Sequence, residues 1–127
     1  MPTKVCPFCN VGNDRIIAAN EQAIAIADGV AVTQGHTLVI PREHISSIFE
    51  MASETQYKVW ELLLTVRGLL QERFKPAAFN IGVNDGKEAG QTVDHAHIHV
   101  IPRYRGDVDD PRGGVRWVIP SKAKYWD

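Results

Sequence analysis

Apolar and polar positions change period several times along the chain, and each change marks an element. The runs Arg15 to Ala19 and Gln22 to Ala27 are short, Ala- and Ile-rich, and separated by Asn20-Glu21. Short apolar runs bounded by turn residues predict strands, here joined as a hairpin. Gln34-Gly35 breaks the chain. Thr37-Leu38-Val39-Ile40 predicts a third strand, stopped by Pro41, which has no N–H to give to a ladder. A helical period follows: Trp60, Leu63, Leu64, Leu70 and Phe74 recur near one face. Ser53 with Gln56 three residues on fits a capping box, so the helix is expected to start near Ser53. Pro76 closes it, because the residue before a proline is pushed out of helical geometry. A shorter helical turn is expected over Ile45 to Met51. Ala78 to Val83 reads as a strand, Asn84-Asp85-Gly86 as a turn, and His95 to Pro102 as the last strand. Arg103 to Asp127, rich in Gly, Asp and Arg, shows no clear period. Strands and helices mix without regular β-α-β alternation, which predicts an α+β domain on an antiparallel sheet.

The length of 127 residues fits one domain, taken as 1–127. A 44% hydrophobic and 23% charged composition is enough to build a core. With 14 basic against 15 acidic residues, no long basic surface for nucleic acid is expected, though a local phosphate site is compatible. No apolar run approaches the roughly 20 residues of a membrane-spanning helix. Met1-Pro2-Thr3-Lys4 lacks the apolar stretch of a secretory signal. Two cysteines only three residues apart suit a metal site or a redox pair better than a disulfide scaffold. These features together predict a cytoplasmic protein with no membrane partner.

The densest chemistry is His95-Ala96-His97-Ile98-His99-Val100-Ile101. On a strand, His95, His97 and His99 share one face, while Ala96, Ile98 and Val100 share the other. The imidazoles would line a groove at spacings of roughly 6–7 Å, and the apolar face would pack on the long helix. A bland reading is an exposed polar face on an edge strand. Histidine is too scarce to fill a face by accident, and buried imidazoles each need a polar partner. Two active readings remain open at this point. One is a metal site built on a His-x-His pair. The other is covalent catalysis, with one imidazole attacking phosphorus while its neighbours orient it and bind phosphate.

Gly90-Gln91-Thr92-Val93 followed by His95-x-His97-x-His99-Val100-Ile101 resembles the signature of the histidine triad family. Gly35-His36-Thr37-Leu38-Val39-Ile40-Pro41 resembles its upstream motif. The resemblance covers about Cys6 to Arg103, with 104–127 as a C-terminal tail. It implies a five-stranded antiparallel sheet with one long and one short helix, and a homodimer paired across the long helix and a sheet edge. It makes His97 the nucleophile of a nucleotidyl-histidine intermediate, His99 a phosphate-binding and polarising group, and His36 a partner completing their hydrogen-bond network. In the uridylyltransferase relatives the third position is glutamine; His99 here points to the hydrolase branches. Asp28 would contact the ribose hydroxyls. Asn84, Gly90, Gln91 and Thr92 would lie at the phosphate, with Gly86 and Gly90 letting backbone N–H groups approach an anion. Read without the triad, Asn84-Asp85-Gly86 is a hairpin turn only, and Asp28 a cap on the turn at Gly29.

The resemblance therefore implies attack of His97 on the α-phosphate of an adenosine nucleotide conjugate, a dinucleoside polyphosphate or a phosphoramidate. Water would then release the nucleoside monophosphate. Alternatives are a zinc hydrolase using His95, His97 and His99 as ligands, and a nucleotide-binding regulator with little turnover. Cys6-Pro7-Phe8-Cys9 offers two thiolates that chelate zinc through one tight turn and need two more ligands. His44 is the third candidate and His95 the fourth, and some family members hold such a structural zinc. A redox pair and two inert thiols are the other readings of the cysteines.

Overall fold

A computed structural model describes residues 6–127, so the Met1-to-Lys4 stretch lies outside the described residues. Among the described residues, five strands form one antiparallel sheet in the order β1-β2-β3-β5-β4. They are β1 (Ile16–Ala19), β2 (Ala23–Ala27), β3 (Thr37–Pro41), β4 (Ala78–Gly82) and β5 (Ile98–Arg103). The long helix α1 (Ser53–Phe74) crosses one face, and a short helix α2 (Pro120–Ala123) sits near the C-terminus. This is the expected α+β class, but the short helix lies in the tail. Ile45 to Met51 forms only a 3-10 turn over Ile48–Glu50, capped where Ser47 Oγ accepts from the Phe49 N–H at 3.1 Å.

β2 and β3 are interior strands with both faces covered, which explains their continuous apolar sequences. Val59, Leu62, Leu63, Val66 and Leu70 of α1 meet Ala23, Ala25, Val39, Ile98 and Val100 on one face. Burying a leucine such as Leu62 contributes about 1.5–3 kcal/mol before its entropy cost. The opposite face carries Ile24, Ile26, Leu38 and Ile40, covered by Phe8, Val11 and Ile16. The site occupies that face.

Several local expectations are corrected. Ala52, not Ser53, flanks the start of α1, and no side chain caps it, so the Ser53–Gln56 capping box does not form. The buried stripe of α1 runs through Thr55, Val59, Leu62, Leu63, Val66 and Leu70, while Trp60 is 42% and Leu64 69% exposed. Helical spacing identified the helix but did not choose which side faces the sheet. The helix end agrees with expectation: Lys75, before Pro76, leaves right-handed geometry at φ 50°. β3 stops at Pro41, as expected, with the proline as its last residue. Pro41 pairs with Ala23 on β2, and β5 does not extend alongside it, so no ladder bond is lost on that side. Gly35 must be glycine: φ is 89°, and a Cβ there would meet Phe74 at 2.8 Å and Pro102 at 3.2 Å.

Asn84-Asp85-Gly86 is not a hairpin turn. It opens a long connection from β4 to β5, with a 3-10 turn at Lys87–Ala89. The last strand begins at Ile98, not His95. The Ala96 N–H donates to Ile45 O at 2.7 Å, outside the β3–β5 ladder, whose pairing stops at Ile98.

Candidate functional site

In the β3–β5 ladder Leu38 stands opposite His99. His36, one residue before β3, therefore falls beside His99, and its Nε2 lies 2.9 Å from His99 Nδ1. The rings of His97 and His99 are 5.1 Å apart, closer than the strand period alone implies. His36 and His97 are buried and His99 is half-buried. His95 does not share their groove. Its Nε2 lies 2.8 Å from Pro41 O and its Nδ1 faces the thiol of Cys6. The zinc hydrolase built on His95, His97 and His99 is thus not what these side chains form.

Backbone groups fix the tautomers, because an N–H can only donate and a carbonyl can only accept. The Val32 N–H donates to His36 Nδ1 at 3.1 Å, so His36 carries its proton on Nε2 and donates it to His99 Nδ1. His99 is then left with its own proton on Nε2, a donor for a phosphoryl oxygen. His97 Nδ1–H donates to the His95 carbonyl at 2.9 Å, which leaves Nε2 as an unprotonated lone pair. Burial pushes His36 and His99 below the ordinary imidazole range, in favour of these neutral forms; Asp28 opposes this weakly in both.

Asp28 Oδ2 lies 3.3 Å from His36 Nε2, and its Oδ1 accepts from the Val30 N–H at 2.8 Å. The turn-capping contact is therefore present, and the carboxylate keeps further acceptor sites. Asp28, His36 and His99 are close enough to hold a cation together. However, the Val32 N–H occupies His36 Nδ1 and keeps a proton on the nitrogen that a metal would need.

Asn84 lines a pocket of about 740 Å³ together with His36 and His99. Gly90 and Gln91 brace the loop through their own hydrogen bonds. The Gly90 N–H donates to Lys87 O, and the Gln91 N–H donates to Gly86 O. The Gln91 side chain accepts from Gly86 N–H and donates to the carbonyls of Ser46 and Val93. Thr92 is exposed on the same loop.

Beside the imidazoles, Cys6, Cys9, His44 and His95 form a possible metal-binding group. The His95 Nε2–H donates to Pro41 O, so Nδ1 is free of a proton and faces the thiols. Burial keeps this imidazole below its ordinary range and hence neutral. Nδ1 of His95 lies 3.3 Å from Cys6 Sγ, 3.6 Å from Cys9 Sγ and 3.3 Å from His44 Nδ1, and Cys9 Sγ lies 3.1 Å from His44 Nδ1. Tetrahedral zinc at ordinary bond lengths sets N–N edges of about 3.3 Å and N–S edges of about 3.5 Å. The donor types and spacing fit zinc.

Two contacts were not legible in the sequence. Phe8, between the cysteines, packs edge-on against both His95 and His97, at 6.0 and 5.2 Å between ring centroids. Val32 acts only through its backbone N–H, which no residue-type signal reveals. The tail, which shows no period in the sequence, lines the pocket beyond His99 with Val115, Trp117 and Val118.

A five-stranded sheet with paired imidazoles at its β3–β5 seam defines a histidine triad type of domain. Residues 10–106 match the model of the HIT domain. The chain belongs to the HIT family. It is 36% identical to "Protein hit" of Bacillus subtilis over 107 residues, 80% of this chain and 74% of that protein. It is 29% identical to a bis(5'-adenosyl)-triphosphatase of Dictyostelium discoideum over 100 residues, 79% of this chain and 67% of the other. Among solved structures, a HIT family protein from Bacillus anthracis superposes with a TM-score of 0.75 at 35% identity, covering 80% of this chain and 75% of that one. A zinc-bound histidine triad family protein from Mycobacterium smegmatis gives 0.67 at 32% identity, covering 84% and 81%. No helix among the described residues is long and apolar enough to cross a membrane.

Proposed function

We propose that this protein hydrolyses adenosine nucleotide conjugates through a nucleotidyl-His97 intermediate. The observation that carries this reading is the tautomer set. His97 presents a bare Nε2 while its other nitrogen is held by the His95 carbonyl, and the neighbouring His99 offers an N–H. The His97 Nε2 lone pair attacks the α-phosphorus, and the bond to the leaving group breaks with its electron pair. The ring gains positive charge, which the His95 carbonyl at Nδ1–H stabilises. His99 donates to a phosphoryl oxygen. Water then attacks phosphorus, Nε2 departs, and a nucleoside monophosphate is released. The triphosphatase among the relatives supports this substrate class. The test is release of adenosine monophosphate from a panel holding an adenosine phosphoramidate and a diadenosine polyphosphate, with acid-sensitive adenylation mapped to His97. No turnover of either would sink the reading.

Zinc would be held by Cys6, Cys9, His44 and His95, where it would tie the N-terminal segment to the core. It would supply no step at phosphorus.

Asp28 is the proposed ribose contact. Charge-assisted hydrogen bonds contribute roughly 1.5–3 kcal/mol each, reduced here by sharing with Val30, His36 and solvent. Ribonucleotides are expected to bind better than 2′-deoxyribonucleotides. Asp28→Ala should shrink that preference and mainly raise KM, since the sugar contact exists in ground and transition states alike. Competition between adenosine monophosphate and its deoxy form checks it, and an equal ribose preference in both proteins would show that Asp28 does not read the sugar.

Tyr57, Trp60 and Leu64 form an exposed apolar line on α1, at 72%, 42% and 69% exposure. That line supports a homodimer paired across this helix. Light scattering should give about twice the 14.1 kDa chain mass, and Trp60→Glu should halve it; a monomeric wild-type protein would refute the pairing.

A further inference from the structure

We propose that segment 104–127 builds a second subsite beyond His99 that takes the nucleobase of the leaving nucleotide, with Trp117 as its stacking surface. This rests on the proposed reaction and specifies its leaving group. The pocket of about 740 Å³ runs from His99 and Asn84 to Val108, Val115 and Trp117. That volume is enough for a nucleoside-sized ligand. One end is walled by His36, His99 and Asn84, beside His97, and the other by the tail.

The tail is held as a firm wall. Arg103 Nε and Nη2 donate to Asp107 at 2.7 and 2.8 Å, and its Nη1 donates to Asn80 Oδ1 at 2.6 Å. The Tyr104 hydroxyl donates to Gln34 O, and Arg116 donates to the carbonyls of Lys122 and Ala123. Gly113, at φ 92°, lets the chain pass between two indoles: a Cβ would meet Trp126 at 3.1 Å and Trp117 Nε1 at 3.2 Å. Trp117 Nε1–H donates to Arg112 O at 2.9 Å. Its polar edge is thus satisfied, while the side chain remains 48% exposed and lines the pocket. A fixed indole with free ring surface is a stacking platform, and it binds with little loss of side-chain entropy.

Charge selects the occupant. The Arg103 cation is saturated by Asp107 and Asn80, and Asp110 takes Arg112 at 3.0 Å. Arg103 is the one lysine or arginine among the residues lining the pocket, and with its donors engaged a neutral flat base fits there better than a phosphate tail. The segment after residue 106 also lies outside the stretch matched by the HIT domain model, so this wall belongs to the chain's own C-terminal part.

The test is calorimetric binding of a diadenosine polyphosphate with non-hydrolysable methylene bridges. The comparison ligand is the adenosine polyphosphate of equal phosphate number without the second nucleoside. Wild type should bind the two-base ligand about tenfold more tightly, a margin typical of one aromatic–base stack. Trp117→Ala should erase the margin, and Trp117→Phe should keep most of it; circular dichroism checks that both variants fold. Equal wild-type affinities, a margin that survives in Trp117→Ala, or equal weakening of both ligands would overturn the subsite. A margin lost in Trp117→Ala from a protein that hydrolyses neither conjugate would uphold the subsite and refute the hydrolase reading.

Discussion

His97→Ala is expected to lower turnover of any conjugate by several orders of magnitude, the usual cost of losing a covalent nucleophile. Its fold and much of its nucleotide affinity should persist. His97 makes one side-chain bond, to the His95 carbonyl, and edge contacts with Phe8 and His99. Alanine leaves the His36–His99 hydrogen bond and the Asp28 carboxylate in place. Steady-state release of nucleoside monophosphate, with a melting curve as control, reads the result. More than a few per cent of wild-type rate in a clean preparation would remove His97 from the nucleophile's role. His99→Ala should be milder, because it removes a phosphate donor and not the attacking atom.

Protein purified without chelators is expected to carry about one zinc per chain. Stripping it should lower Tm by on the order of 10–20 °C, given roughly 4 kcal/mol of linkage at a thousandfold excess over Kd. Nucleotide affinity should fall less, because the four donors lie away from the proposed sugar and phosphate contacts. A drop in kcat is nonetheless expected: Phe8, held between Cys6 and Cys9, packs on both His95 and His97. Elemental analysis and differential scanning calorimetry check this prediction. Absence of zinc on purification together with no uptake on titration would defeat it. Zinc that survives Cys6→Ser with Cys9→Ser would instead place the metal on other donors.

The sequence by itself determined much of this protein. Short apolar runs bounded by turn residues and the helical period located all five strands and the long helix within a few residues, because burial imposes apolar residue types directly on the sequence. His36, His97, His99, Cys6, Cys9, His44 and His95 were all legible as chemistry, since imidazoles and thiols at such spacing have few other reasons to be there. Tertiary structure decided what local pattern leaves degenerate. Trp60 and Leu64 share helical spacing with Leu63, but only docking on β2, β3 and β5 selected which side is buried. The three histidines alternate on paper, yet the β3–β5 pairing stops at Ile98, Ala96 bonds Ile45 outside the ladder, and His95 faces Pro41 and the cysteines. The tautomers depend on single backbone groups, at Val32, His95 and Pro41, whose direction no side-chain identity encodes. The Gln91 amide is held by backbone groups of Gly86 and Val93 in its own loop and of Ser46 between β3 and α1, partners that only the tertiary structure supplies. The tail has no period because it is held by Arg103, Arg116 and backbone carbonyls rather than by an apolar stripe. Contacts of that kind leave no repeat in the sequence and exist only once β4 and β5 are in place.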